Sequence, residues 1–409
     1  MRALLAGGMR RTGAVAVACG SLVGGMMMAA PGTASAQVLT CGSTITTSVT
    51  LTANVDCTGD TAQNALTVGA VGVTLNLNGY KILGPGAGAQ TEGVVDLGYG
   101  GLTVENGTIS NFYIGADVEG ASGSDLTGVV VQHVTTANSS LGAQVYGVYG
   151  DYLDGASIHN LSLNDAYYGV ELDNSQDSTV SYNKVTAAFY GLTDYQGTAN
   201  TWSHNTVTGT NYDGLSLHAG TGLVVKGNTF TGTVNAVGVY VDSSSASVTT
   251  NILNNLYEGI YDYANTGDTF RYNKGTGDAW GIDAYYPNGE TYHGNKFSYG
   301  TYGIEADYPT SDLFQFNTTN HNSEAGIFLF TDDDPNYSAT LTSNTGNYNR
   351  FGLYSQFATS GSGNSATGNK VVNCYNVTCQ TGTAASRLVA QPPHRIPAVP
   401  PTPAPLARP

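Results

Sequence analysis

The middle of the chain repeats about every 22 residues, and two positions of the repeat are occupied mostly by carboxylates and tyrosines, with one histidine. Carboxylates accept hydrogen bonds from hydroxyl groups and move protons, and tyrosine rings present flat surfaces that suit the apolar faces of sugars. We call this set the outer stripe. Nine of its members are the predicted contacts for a linear glycan: Glu171, Asp173, Tyr195, His218, Tyr240, Asp242, Tyr261, Tyr263 and Tyr285.

Three more carboxylates complete the outer stripe and are the candidate catalytic groups. Asp283 and Glu305 are one repeat apart, so stacked repeats would bring them to about 4.8 Å. At that distance one carboxyl group raises the pKa of the other, and a retaining glycosidase pair needs roughly 5–5.5 Å. With Asp307, the same oxygens form a candidate Ca²⁺ site. A solvated strand face without chemistry is the competing interpretation.

A second stripe, on another strand of each repeat, carries Arg271 and His293. A polysaccharide lyase needs a base for the proton alpha to a uronate and a cation that stabilises the resulting charge. These two residues are the candidates for that chemistry. One pattern argues against a lyase: lysine follows asparagine in several repeats. Basic residues at these positions are therefore explained by the structural repeat without any catalytic role.

The two stripes are positioned by a repeat that runs from residue 146 to residue 317. Within each copy, apolar and polar residues alternate, which indicates strands with aliphatic residues facing inward. Three short strands in each copy, repeated at this period, predict a solenoid whose coils stack to bury their inward faces. One glycine in each copy recurs every 21 to 24 residues: Gly147, Gly169, Gly191, Gly214, Gly238, Gly259, Gly281 and Gly303.

An asparagine recurs in phase with these glycines. We predict that each one lies at a bend, faces inward and bonds through its amide to the asparagines above and below, as in other stacked strands. Asn322 falls outside the spacing. The predicted ladder contains Asn160, Asn183, Asn205, Asn228, Asn251, Asn273, Asn295 and Asn317.

The segment before the repeat carries three further motifs: Leu39-Thr40-Cys41-Gly42, Ala53-Asn54-Val55-Asp56-Cys57 and Leu75-Asn76-Leu77-Asn78-Gly79-Tyr80-Lys81-Ile82. It resembles the opening of secreted bacterial right-handed parallel β-helix repeat proteins of the pectate-lyase-like superfamily. The resemblance covers roughly residues 41–379 and implies an all-β, right-handed parallel β-helix of about a dozen coils. That fold hosts lyases, hydrolases, epimerases and non-catalytic proteins. The Asn-Thr-Asp, Gly-His-Gly and Arg-Ile-Lys signatures of polygalacturonases are absent from the sequence, so no catalytic role carries over.

The ends of the chain differ from the repeat. Residues 1–36 have the charged start, apolar run and small-residue cleavage site of a secretory signal peptide. Residues 37–65 are predicted to cap the β-helix, which would occupy residues 66–380. The Pro/Ala-rich residues 381–409 are predicted to be a disordered tail. No stretch after the signal is apolar for long enough to span a bilayer, and the expected location is extracellular.

Four cysteines follow the signal peptide: Cys41, Cys57, Cys374 and Cys379. An exported protein meets an oxidising compartment, where cysteines pair. Four cysteines allow three connectivities. The spacing favours the local pairs Cys41–Cys57 and Cys374–Cys379.

The formal net charge of −16, with 11% charged residues, argues against nucleic acid and anionic membranes as partners. The sequence therefore favours a secreted β-helix protein that binds or acts on an extracellular polysaccharide, of the lyase or glycoside hydrolase type if it is catalytic. The alternative is a non-catalytic surface or matrix protein with a structural or adhesive role. No cofactor is required by the sequence, and Ca²⁺ at Asp283, Glu305 and Asp307 is the candidate.

Overall fold

The computed structural model describes residues 35–380, except 62, 138–144, 165–166, 187, 234 and 332–335. Residues 1–34 of the predicted signal peptide and the predicted tail lie outside this part of the chain. Within it, the helical structure is a single 3-10 turn, η1 (Ala87–Ala89). None of its helices is long and apolar enough to cross a bilayer.

The described chain winds as a right-handed parallel β-helix, as predicted. Sheet 1 has 15 strands, one from each coil, and its neighbouring strands pair in parallel. The coils therefore slightly outnumber the predicted dozen. The strands of sheet 1 are β2 (Ser43–Ile45), β5 (Leu66–Val68), β8 (Glu92–Leu97), β10 (Ile114–Glu119), β13 (Tyr146–Asp151), β17 (Tyr168–Asp173), β20 (Tyr190–Tyr195), β23 (Asp213–His218), β26 (Val237–Asp242), β29 (Glu258–Tyr263), β32 (Trp280–Tyr285), β35 (Tyr302–Asp307), β38 (Ala325–Phe330), β40 (Phe351–Ser355) and β41 (Val372–Tyr375).

Sheet 2 has 24 strands in two columns, which are joined because two eight-residue strands, β9 and β12, pair with members of both. Its strands are β1 (Ser35–Gln37), β3 (Val49–Leu51), β4 (Val55–Asp56), β6 (Thr74–Asn76), β7 (Lys81–Leu83), β9 (Thr103–Ser110), β12 (Val130–Ala137), β15 (Ser157–His159), β16 (Ser162–Asn164), β18 (Thr179–Ser181), β19 (Lys184–Thr186), β21 (Thr201–Ser203), β22 (Thr206–Thr208), β24 (Leu223–Lys226), β25 (Thr229–Thr231), β27 (Ala246–Thr249), β28 (Ile252–Asn254), β30 (Thr269–Arg271), β31 (Lys274–Thr276), β33 (Thr291–His293), β34 (Lys296–Ser298), β36 (Thr310–Gln315), β37 (Thr318–Asn320) and β39 (Ser338–Thr342). A separate parallel pair is formed by β11 (Leu126–Thr127) and β14 (Leu153–Asp154).

The core fills the inside of the coils with rows of equivalent side chains. In one row, Phe270, Tyr292 and Phe314 are fully buried and stack with ring centroids 5.2 and 4.7 Å apart. Such offset stacks add to the burial of apolar surface. A coil therefore gains its packing partners from the coils above and below it.

The repeated glycines are required by crowding rather than by a turn. A Cβ on Gly169 would lie 2.3 Å from the carbonyl oxygen of Gly191, and one on Gly259 would lie 2.5 Å from that of Gly281. Real Cβ atoms do not approach a backbone oxygen so closely, so only glycine allows the neighbouring strands of sheet 1 to stack at this point.

The asparagine ladder is confirmed from Asn183 to Asn317. At Asn273, the side-chain oxygen accepts both the backbone N–H and the side-chain N–H of Asn251, each at 3.0 Å. The Asn273 side-chain nitrogen donates to the carbonyl of Val248 and to the side-chain oxygen of Asn295. The ladder also continues beyond the predicted range, through Asn344.

One member of the predicted ladder is wrong, and one residue outside the ladder belongs to a second ladder that the spacing does not indicate. Asn160 is exposed with a φ of 56°, and the ladder position one residue later is held by Leu161, whose N–H donates to Asn183. Asn322 is buried in a second ladder with Asn349. At Asn160 the bend is displaced by one residue. The second ladder was missed because its asparagines are too few to show a regular period in the sequence.

Both local disulfides are formed, as predicted. Cys41 and Cys57 have their Cα atoms 5.3 Å apart, and those of Cys374 and Cys379 are 6.5 Å apart. Disulfides are typical of oxidising compartments. Secretion itself stays a prediction.

Replacing Asn273 by leucine should lower the free energy of unfolding by about 1–3 kcal/mol, because the buried amide groups of Asn251 lose their acceptor. Asn254→Leu is the matched control, since Asn254 lies half-buried at the end of β28, outside both ladders. Chemical denaturation of both variants measures the difference. Equal stability of the two variants would contradict the role given to the ladder.

Candidate functional site

The outer stripe lies on the outward face of sheet 1. In β17, Val170 and Leu172 enter the core while Glu171 and Asp173 alternate with them on the outside. Asp283 and Glu305 are partners on neighbouring strands, so the one-repeat spacing does bring these two residues together.

The outer stripe is far less exposed than an open strand face. Seven members are only 1–6% exposed: Glu171, His218, Tyr240, Tyr261, Asp283, Glu305 and Asp307. The other glycan-contact candidates are half-exposed: Asp173, Tyr195, Asp242, Tyr263 and Tyr285. The competing interpretation of a solvated strand face therefore does not describe the row nearer the glycines.

The cause of this burial is a third outward row, formed by the residue before each glycine. Tyr168 stacks between Tyr146 and Tyr190, with ring centroids 4.8 and 5.1 Å away, in a cluster outside the main core. Farther along, the Trp280 indole N–H donates to the carboxylate of Glu305. These large side chains cover the row that contains Glu171 and Glu305. Strict alternation of inward and outward residues along a strand does not predict that the residue before each glycine lies outside the core.

The same row brings Glu258 into the site, a residue that the sequence reasoning missed. Glu258 is 2% exposed, and its Oε1 has no hydrogen-bond partner among the described residues. Burial raises its pKa well above the ordinary value, and the nearby Asp283, Asp213 and Glu305 raise it further. The sequence does carry a signal, because an acid stands here where Tyr168 and other copies have an aromatic ring.

Asp213 occupies the equivalent position in β23 and accepts a hydrogen bond from the Ser216 hydroxyl at 2.6 Å. Asp213, Asp283 and Glu305 each raise the pKa of Glu258. Together with Glu258 they form a group of four carboxylates. We call them the outer carboxylate group. Glu258 favours its protonated form there, which makes it the natural proton donor of the group.

Half-exposed rings continue this face along its outer edge. Tyr263 and Tyr285 stack with centroids 5.8 Å apart and planes 6° apart. Near them, His218 lies 3.6 Å from Asp242, and its hydrogen bond lowers the pKa of that carboxyl group. The edge therefore offers flat apolar surface beside ionised oxygen.

The second stripe does not join this site. Arg271 and His293 are partners on neighbouring strands, as their spacing predicted, but β30 and β33 belong to sheet 2. His293 lies between aromatic rings, with Tyr272 and Phe316 5.3 and 5.2 Å away. Arg271 and His293 are consequently on a different sheet from the outer carboxylate group.

A candidate metal-binding group lies inside the coil rather than on the outer stripe. In the described residues, the one group of three acidic, histidine or cysteine side chains whose ligand atoms lie within 4.8 Å of one another is Asp262, Asp268 and Glu290. Asp283, Glu305 and Asp307, the predicted Ca²⁺ ligands, are not such a group. Asp262 also corrects the expectation that all inward positions of sheet 1 are aliphatic.

Two family descriptions match the sequence. The one named "Periplasmic copper-binding protein (NosD)" matches residues 64–257 and 128–297, and "Right handed beta helix region" matches residues 237–390. The first covers more than half of the 409 residues. The chain therefore belongs to the NosD family of right-handed parallel β-helix repeat proteins. No curated protein matches it.

Several solved structures are similar at low identity. The Azotobacter vinelandii mannuronan C-5 epimerase AlgE6 A-module has 15% identity and a TM-score of 0.44, with 79% of this chain and 91% of that chain covered. The periplasmic alginate epimerase AlgG has 12% and 0.41, with 81% and 77% covered. A GH87 alpha-1,3-glucanase catalytic domain has 13% and 0.42, with 82% and 64% covered. At these values, the activities of those proteins do not transfer to this chain.

Glu258→Gln should make the free energy of unfolding less dependent on pH. The pKa of Glu258 is raised above 4.5 in the folded state, so the folded chain keeps a proton that the unfolded chain releases. The parent loses this contribution as the pH rises from about 4.5 through the folded pKa, whereas glutamine cannot ionise. Urea titrations over that range measure the slope. A Glu258→Gln variant that keeps the parental slope would contradict the raised pKa assigned to Glu258.

Proposed function

We propose that this protein binds an extracellular polysaccharide along the outward face of sheet 1 and hydrolyses it at the outer carboxylate group. The observation that carries the proposal is the position of Glu258, a buried acid with a raised pKa beside Asp283 and Glu305. A proton donor beside other carboxylates on one face is the arrangement that glycoside hydrolysis requires.

In the proposed reaction, Glu258 donates its proton to the oxygen of the scissile glycosidic bond as that bond breaks. Asp283 then acts on the anomeric carbon, directly or through a water molecule. Glu305 is held by the Trp280 indole and helps to keep Glu258 protonated. A water molecule supplies the hydroxyl group of the new reducing end and restores the proton to Glu258.

The half-exposed rings give this site its binding surface. Tyr263 and Tyr285 lie one coil apart and nearly parallel. Flat rings at this repeat match successive sugars of a linear chain better than a compact ligand. Ionised Asp242 would accept hydrogen bonds from hydroxyl groups beside them.

Lyase chemistry is the weaker proposal, because Arg271 and His293, the candidates for its base and its cation, lie on sheet 2. Copper binding, which appears in the family's description, is also weaker. Carboxylates favour hard cations over copper, and the converging group in the described residues contains carboxylates alone.

The second candidate function is a non-catalytic surface or matrix protein. The low exposure of Asp283 and Glu305 favours it, because a substrate must reach both groups. In that case the outer carboxylate group serves only the packing of sheet 1, and the half-exposed tyrosines bind glycan or simply face solvent.

Glu258→Gln should reduce the release of reducing ends from a susceptible polysaccharide by about 10²–10⁴-fold while binding persists, because the amide keeps the shape and loses the proton. Tyr263→Ala and Tyr285→Ala should weaken retention on the same polysaccharide. The parent is first tested against a panel of neutral and acidic polysaccharides, by affinity electrophoresis and reducing-end assays.

Tyr182→Ala is the control for the binding variants, since Tyr182 is an exposed tyrosine that stacks on His204 at a turn away from sheet 1. It should bind like the parent. Binding without turnover by the parent would favour the non-catalytic function, and a parent that retains no glycan would refute both parts of the proposal.

A further inference from the structure

A second group of carboxylates lies inside the β-helix, on the other face of the same strands. Asp262 points inward from β29, Asp268 follows in the next turn, and Glu290 occupies the equivalent turn one coil later. All three are 0–1% exposed. Their ligand oxygens lie within 4.8 Å of one another, and Asp312 of the following coil is close enough to raise the pKa of Glu290. We call these four residues the inner carboxylate group.

Hydrogen bonds satisfy only part of this group. Each oxygen of Asp262 accepts one hydrogen bond, from the Asn265 amide and from the Tyr292 hydroxyl, and keeps a second lone pair. Asp268 and Asp312 each accept a backbone N–H at 2.7 Å through Oδ1, and the backbone amides of Thr310 and Gly289 also approach the Asp312 carboxylate. The Oδ2 atoms of Asp268 and Asp312 are buried without a partner in the described structure.

Glu290 is the decisive member. It is 0% exposed, and both of its carboxylate oxygens lack a hydrogen bond among the described residues. The amide of Asp268 approaches this carboxylate without completing a bond to either oxygen. A buried carboxylate with two unused oxygens is costly unless something else supplies positive charge.

No side chain in the described structure supplies that charge. The ion pairs His218–Asp242 and Arg350–Glu324 lie elsewhere in the described residues and do not involve the inner carboxylate group. Burial raises the pKa of Asp268 to about 8 and, with its acidic neighbours, that of Glu290 to about 10. Either protons or a cation must therefore neutralise the group.

We propose that the inner carboxylate group binds one hard divalent cation of the Ca²⁺ type. The unused oxygens of Asp268 and Glu290, with a carboxylate oxygen of Asp262, supply only hard oxygen ligands, which Ca²⁺ prefers. Ligands from two successive coils would be joined by one ion, with the carboxylate of Asp312 close by. The site therefore acts on the stability of the β-helix, independently of any reaction on its outward face.

The test compares protein unfolded in guanidinium with EDTA and then refolded without metal, with CaCl₂ or with MgCl₂. After dialysis, elemental analysis should find about one Ca²⁺ per chain, and calorimetry should show a melting midpoint raised by roughly 5–10 °C over the metal-free sample. Glu290→Gln should neither retain Ca²⁺ nor gain stability from it. This variant should still fold without metal, because glutamine removes a buried charge. Asp268→Asn provides the same test at a second ligand.

Asp194→Asn is the matched control. Asp194 also points inward from sheet 1, but hydrogen bonds from Trp202 and Asn200 occupy it, so this variant should bind Ca²⁺ like the parent. Asp283→Asn should do so as well. The proposal is overturned if neither Ca²⁺ nor Mg²⁺ is retained or stabilising, which would mean shared protons, or if Asp283→Asn loses the ion while Glu290→Gln keeps it.

Discussion

Parallel hydrogen bonding between equivalent strands of successive coils is the constraint on which the rest of this structure depends. It holds equivalent residues in register through the 15 strands of sheet 1, so any residue type that repeats becomes a stack. The asparagine ladder shows the consequence at a bend, where the backbone would otherwise leave buried groups unpaired. The side-chain oxygen of Asn273 serves two N–H groups of Asn251, and each coil is thereby fastened to the next.

The same register concentrates negative charge around a few coils. β29 carries Glu258 on its outward face and Asp262 on its inward face, and the two following coils add Asp283 and Glu305 outside and Glu290 inside. Like charges so close, and so buried, favour protonation or a bound cation. The outward group keeps an acid protonated next to a row of rings, whereas the inward group is sealed in the core. This difference in surroundings is why we assign proton transfer to the first and cation binding to the second.

A regular period made the fold, the main asparagine ladder and the adjacency of Asp283 and Glu305 predictable from the sequence, because stacking converts spacing into distance. The period alone does not predict which way side chains face at the bends between strands. The glycine of each copy lets the preceding residue face outward, which buries much of the outer stripe and brings in Glu258. The bend near Asn160 is displaced by one residue. Asp262 was missed because alternation indicates which way a side chain points, not whether the core tolerates its charge.

The coils of this β-helix are equivalent units stacked in register, so one whole coil can be deleted without loss of the fold. Removing residues 183–204, one period of 22 residues, joins Tyr182 to Asn205 and leaves the ladder continuous. We expect this variant to keep the β-rich circular dichroism spectrum of the parent and to unfold cooperatively. Removing residues 183–193 takes out half a coil and should prevent folding, because the strands that follow lose their register. If the whole-coil deletion fails to fold, or if both variants give the same spectrum and the same unfolding transition, the coils are not equivalent units stacked in register.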